Sequence, residues 1–145
     1  MKKNIFIIAF TIVLTVTAFA QQSFNIGDTG PAGGFIFYDK GDYTDGWRYL
    51  EAAPLETEFY SEWGTTPSPG ATGISIGTGK QNTQKMLEIR NQVPSAYRIA
   101  QMCNLITLNG YSDWYLPSID ELLLNGRIYA DNKFHPLRVR AIRSF

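Results

Sequence analysis

The sequence predicts an α+β fold of short antiparallel strands with two to three helices, and three stretches carry that prediction. Phe35 to Tyr38 and Trp47 to Ala52 read as the two arms of a hairpin. Lys80 to Gln92 and the run after Pro94 place apolar residues at helical spacing. Asn109 to Leu124, NGYSDWYLPSIDELLL, packs a helix stop, a short aromatic strand and a helix start into one run, and fixes its neighbours relative to one another.

Met1 to Ala20 reads as a secretory signal. Lys2 and Lys3 give a positive start, Ile5 to Val16 an apolar stretch, and Ala18-Phe19-Ala20 a small-x-small cleavage site before Gln21. A membrane anchor needs about 20 apolar residues and a different flank, so the expectation is an exported chain with no stable membrane anchor after cleavage. Residues 21 to 145 then make one domain. Without Lys2 and Lys3 the chain carries 11 basic against 13 acidic side chains, a net charge near −2, which gives nucleic acid no reason to bind. The charge is unevenly spread. Asp28 to Glu62 holds eight acids and two bases, Arg127 to Arg143 five bases and one acid, and the two segments are candidates to pair within the fold. Cys103 is the only cysteine, so stability must come from packing or from a second chain rather than from disulfides.

Each element has a local reason. Gly27 to Gly33 is a glycine-rich turn entering a strand, and Phe35 to Tyr38 is dense enough in apolar residues to be covered on both faces. Lys40 to Gly46 supplies the hairpin loop. Asp39 just before it and Asp42 and Asp45 within it lack the spacing and the closing glutamate of a calcium loop, so they read as a solvated tip. Phe59, Tyr60 and Trp63 lead into Gly64 to Gly79, rich in Gly, Pro, Ser and Thr and expected to be an exposed loop. Gly79-Lys80 approaches a phosphate-binding loop, but Gln81 stands where a hydroxyl would hold magnesium. No cofactor is expected. Met86, Leu87, Ile89 and Val93 fit one face of a first helix capped by Thr78 or Asn82. Ser95 is the expected cap of a second, with Ile99, Met102 or Cys103, and Ile106 buried and Asn109-Gly110 as its stop. Trp114, Tyr115 and Leu116 form the short strand. Pro117 blocks helix before it, and Ser118 with Glu121 forms a capping box that restarts it until Asn125-Gly126. Arg127 to Tyr129 and Leu137 to Ile142 have strand character, turned at Asn132-Lys133 or His135-Pro136. The second places Arg138 and Arg140 on one face and Val139 and Ala141 on the other.

Four motifs in order, GDTGPAGGFIFYDKG (Gly27 to Gly41), GWRYLEAAP (Gly46 to Pro54), NGYSDWYLPSIDELLL (Asn109 to Leu124) and RVRAIRSF (Arg138 to Phe145), resemble the Lcl C-terminal domain family. The matched motif positions include Trp47, Gly110, Asp113, Trp114, Leu116, Pro117, Ser118, Glu121, Arg138 and Arg140. The resemblance implies a bacterial surface domain of C-type-lectin-like fold, a fold that also serves retroelement-diversified ligand-binding proteins. It also implies a gap. Such domains carry a longer segment with a Tyr-Trp-Ser-Ser-like strand before the closing motif, whereas only Leu122 to Leu137 spans that distance here.

Two functional classes follow. One is an exported binding or adhesion module whose partner is an extracellular glycan or protein. The other is an extracellular enzyme using Cys103 or His135 with Asp113 or Asp120. A truncated, non-functional relic of the family is a third reading. The residues show no paired carboxylates, metal-ligand spacing or Ser/His/Asp grouping, and Cys103 sits mid-helix on an apolar face where cysteine is a core residue. The Glu-Pro-Asn and Trp-Asn-Asp motifs of calcium-dependent sugar binding are absent as well. The expectation is a binding module rather than an enzyme.

Overall fold

Tyr49, Leu50, Glu51 and Ala52 are all buried, so this strand leaves no face to water and must lie inside a sheet. The computed structural model describes residues 22–62, 70–124 and 137–145, with Leu137 described by its backbone alone. In it β2 (Tyr49–Ala52) is the centre of an antiparallel three-stranded sheet, between β1 (Phe35–Asp39) and β5 (Ile142–Ser144). The strand covered on both faces is thus β2 and not β1. Phe35 is 50 % exposed and Ile36 fully buried, because β1 is an edge and its partner covers one side only. The pairing shifts between Ile36 and Tyr38, a bulge that re-aims the end of β1.

The C-terminal run is expected as one strand and is observed as two. β4 (Leu137–Val139) pairs with β3 (Phe59–Ser61) in a second, two-stranded sheet; the chain then breaks at Arg140-Ala141 and continues as β5. Val139 and Ala141 face the core while Arg138 and Arg140 lie on the other side, as the alternation requires. Both arginines contact Glu58, with Arg140 donating twice to Oε1 at 3.0 and 2.7 Å. Acid-rich and base-rich segments pair. The chain's end also closes on its start: Arg48 and Tyr49 N–H groups donate to the Phe145 carbonyl, and the Phe24 ring packs edge-on against Tyr49 and Phe145.

Helix α1 (Gly79–Gln92) buries Gly79, Thr83 and Met86, while Leu87 and Ile89 are only partly covered and Val93 is 38 % exposed. The buried face is therefore turned from the expected one, because Thr83 is drawn inward by hydrogen bonds: its hydroxyl donates to the Gly79 carbonyl and accepts the Leu116 N–H. Thr78 is the capping residue by position only, since its hydroxyl donates to the Ser75 carbonyl. Helix α2 (Arg98–Asn104) starts later than Ser95 implies. Tyr97, buried and in the left-handed region at φ 47°, turns the chain into it.

Asn109-Gly110 does not end α2, which stops at Asn104. Both residues have positive φ, 47° and 83°, and Leu108 and Tyr111 exchange backbone hydrogen bonds across them. That is the two-residue turn of a tight hairpin, for which Asn-Gly is the strongest local signal. After it the expected strand over Trp114 to Leu116 is reduced to a single bridge from Tyr115 to Ile142, and α3 (Ile119–Leu124) follows. Trp114, fully buried, centres a core of Met86, Ala96, Tyr97, Ile99, Ala100, Cys103, Leu116, Val139 and Ala141. Exposed apolar residues are scattered over the described surface, and four of them, Ile119, Leu122, Leu123 and Leu124, 37–59 % exposed, lie together on α3. No described helix is long and apolar enough to cross a membrane. The signal segment, Trp63, the stop at Asn125-Gly126, Arg127 to Tyr129, both proposed turns and His135 lie outside the described residues.

Candidate functional site

The motif residues converge on two buried carboxylates. Glu51, fully buried on β2, accepts hydrogen bonds from the N–H groups of Ala32 at 3.1 Å and Gly34 at 2.8 Å, so the glycine-rich turn wraps the acid with its backbone. A methyl group at Gly30 would sit 2.4 Å from the Glu51 carboxyl carbon, which explains the glycine there. Glu51 also accepts from Arg143 Nη1 at 3.1 Å, its direct cross-strand neighbour on β5. Arg143 in turn grips Asp113 with two parallel bonds, Nε to Oδ1 at 2.8 Å and Nη2 to Oδ2 at 3.1 Å, and its guanidinium lies over the rings of Tyr111 and Phe145. Burial would favour the neutral form of Arg143, but the bonds to Asp113 and Glu51 outweigh it and raise its pKa.

The second carboxylate is Glu121. Its Oε2 accepts the Ser118 N–H at 2.6 Å and its own N–H reaches Ser118 Oγ at 3.4 Å, forming the capping box. Its Oε1 accepts the Gly77 N–H at 2.9 Å, while Ser118 Oγ donates to the Ser75 carbonyl. The box therefore also clamps the end of the preceding loop. Tyr115 lies beside it, its hydroxyl buried next to Ser144 and Glu121 without a well-formed hydrogen bond to either; burial first, then the charge of Glu121, raises its pKa.

The sequence-selected residues thus serve as framework. Asp113 is tied to Arg143, Trp114 donates its indole N–H to the Tyr111 carbonyl, and Leu116 and Pro117 are buried beside α1. Trp47 carries Lys40 over its ring at 4.4 Å, and Gly110 makes the tight turn. Cys103 is fully buried, and desolvation pushes its thiol up to about 12. Asp39 is held by Arg48 and Asp42 by Thr44, each with a lowered pKa from those hydrogen bonds. Among the described residues no group of three His, Cys, Asp or Glu side chains could hold a metal ion.

A concave surface lies elsewhere. An open cleft of about 280 Å³ is lined by Glu62, Arg90, Pro94, Ser95 and Arg98, between the end of β3 and the loop from α1 to α2. Of these residues the sequence marks only Pro94 and Ser95, as a helix boundary and cap, and nothing in the local spacing of Glu62, Arg90 and Arg98 points to a cleft. Glu51 and Arg143 left a weak trace: each is a lone charge inside an apolar strand, a placement that requires a partner. Comparison of the chain with protein-family models, curated proteins and solved structures finds no match.

Proposed function

We propose that the mature chain is an exported binding or adhesion module of lectin-like fold, related to the Lcl C-terminal domain family and acting without catalysis. The reading is supported most by the role of the motif residues: Gly30, Glu51, Asp113, Ser118, Glu121 and Arg143 hold one another inside the molecule rather than facing a substrate. A framework of this kind fixes a scaffold and leaves its surface loops to meet a ligand. Cys103, the one cysteine, is buried with a raised pKa, the opposite of what a nucleophile needs. The test is a glycan and matrix-protein array probed with the mature chain and with its Cys103→Ala and His135→Ala variants. Saturable binding that both variants retain is the expected result. A turnover activity lost in either variant while circular dichroism stays native would replace this reading with the enzyme.

A further inference from the structure

We propose that the cleft lined by Glu62, Arg90 and Arg98 binds a small carboxylate that also carries a hydrogen-bond donor, either a sugar acid or an amino acid. The proposal rests on the reading of the chain as a binding module and names its ligand class. Arg48, Arg138, Arg140 and Arg143 each contact a carboxylate of the protein itself. Arg98 forms no ion pair among the described residues, and neither does Glu62, although both line the same cleft. Opposite charges that share a cleft without meeting leave room for a ligand between them. Arg90 is oriented by donating Nη1 to the Ala96 carbonyl at 2.8 Å, which leaves its other nitrogens available to the cleft.

The wall is also fixed in shape. The Ala96 N–H bonds back to the Val93 carbonyl, and the buried Tyr97, in its left-handed conformation, stands immediately before Arg98. A rigid loop presenting guanidinium groups suits a carboxylate, which matches their planar fork with two parallel hydrogen bonds. The volume lies at the small end of ligand pockets, which run from about 300 Å³, so the occupant is the size of a single sugar or amino acid. Glu62 sets the second requirement. Its carboxylate accepts from a hydroxyl or ammonium group and repels an ion that offers only acceptors, so sulfate is disfavoured.

The experiment is an amide NMR titration of the mature chain with D-glucuronate, L-glutamate and sulfate in turn. One of the two carboxylates should saturate shifts at residues 94–98, with sulfate at least about tenfold weaker, one hydrogen-bonded charge pair being worth a decade or more. Arg98→Ala, which removes no ion pair among the described residues, should weaken that binding about tenfold or more. Glu62→Gln separates the two sources: it should sharply weaken an amino acid, whose ammonium loses its counter-charge, and change a sugar acid only a few-fold. The proposal is overturned by failure of both carboxylates to saturate below about 10 mM, by sulfate binding as tightly, or by Arg98→Ala binding unchanged. An Arg98→Ala chain that keeps an array ligand would remove the cleft from the account and leave the binding module standing.

Discussion

Cys103 shows how burial decides chemistry at the scale of one residue. With its pKa pushed up to about 12 the thiol stays protonated through the neutral range, and no solvent path reaches it. A disulfide reagent should therefore label the native chain only as fast as the chain opens, and immediate labelling in native buffer would contradict the placement. Tyr115 presents the converse problem, a buried hydroxyl that forms no well-aligned hydrogen bond with the neighbouring Ser144 and Glu121, which costs free energy relative to an apolar group of the same shape. Tyr115→Phe is expected to leave stability unchanged or raise it by about 1 kcal/mol in urea unfolding; a loss of that size would show that the hydroxyl is satisfied. Asp39 supplies the pH dependence. The bidentate bond from Arg48 lowers its pKa below the ordinary 3.8 in the folded state. Its contribution is thus present above the unfolded value and lost as pH falls through the folded one. In Arg48→Gln the Asp39 carboxyl should titrate closer to 3.8, as read by NMR.

At the scale of elements, what could be read in advance was what closes within a few residues. The Ser118 and Glu121 capping box spans four positions, and the structure contains it with both reciprocal bonds. Asn109-Gly110 was legible as a turn former but not as to which turn. A glycine with positive φ suits a helix end and a hairpin equally, and the choice depends on Leu108 and Tyr111 meeting across it. The split of the C-terminal run into β4 and β5 left no local mark, because Val139, Ala141 and Ile142 are apolar and buried on either side of the break. The candidate cleft was illegible for the same reason: Arg90 lies on α1, Arg98 on α2 and Glu62 just past β3, far apart in sequence. The capping box reaches beyond α3, since Ser118 and Glu121 also hold Ser75 and Gly77. Ser118→Ala is expected to cost about 1–2 kcal/mol and to increase hydrogen exchange at Gly77 as well as in α3. Loss of protection in α3 alone would mean that the loop is held by other contacts.

For the molecule as a whole, the described residues close a core around Trp114, and Trp114→Ala should lower the urea midpoint by the equivalent of about 3–5 kcal/mol. The apolar face of α3, with Ile119, Leu122, Leu123 and Leu124 exposed, is where the proposed kinship with longer Lcl C-terminal domains would place the strands that this chain lacks. On that proposal we expect the isolated chain to bind a hydrophobic dye and to lose that binding when the aromatic strands of an Lcl C-terminal domain are inserted between Leu124 and Asn125. Cooperative, high-temperature unfolding of a monomer without dye binding would argue against a missing segment. What joins the start, middle and end of the chain is the pairing of Glu51 with Arg143, 92 residues apart, with the glycine turn on one side and Asp113 on the other. Breaking a buried pair from one side typically costs about 3–5 kcal/mol, because the remaining charge is stranded. The most direct measurement is a double-mutant cycle of Glu51→Gln and Arg143→Met by urea unfolding. The account predicts large single losses and a coupling of about 2 kcal/mol or more between them, whereas single losses below about 0.5 kcal/mol that simply add would show that this network is not what holds the scaffold together.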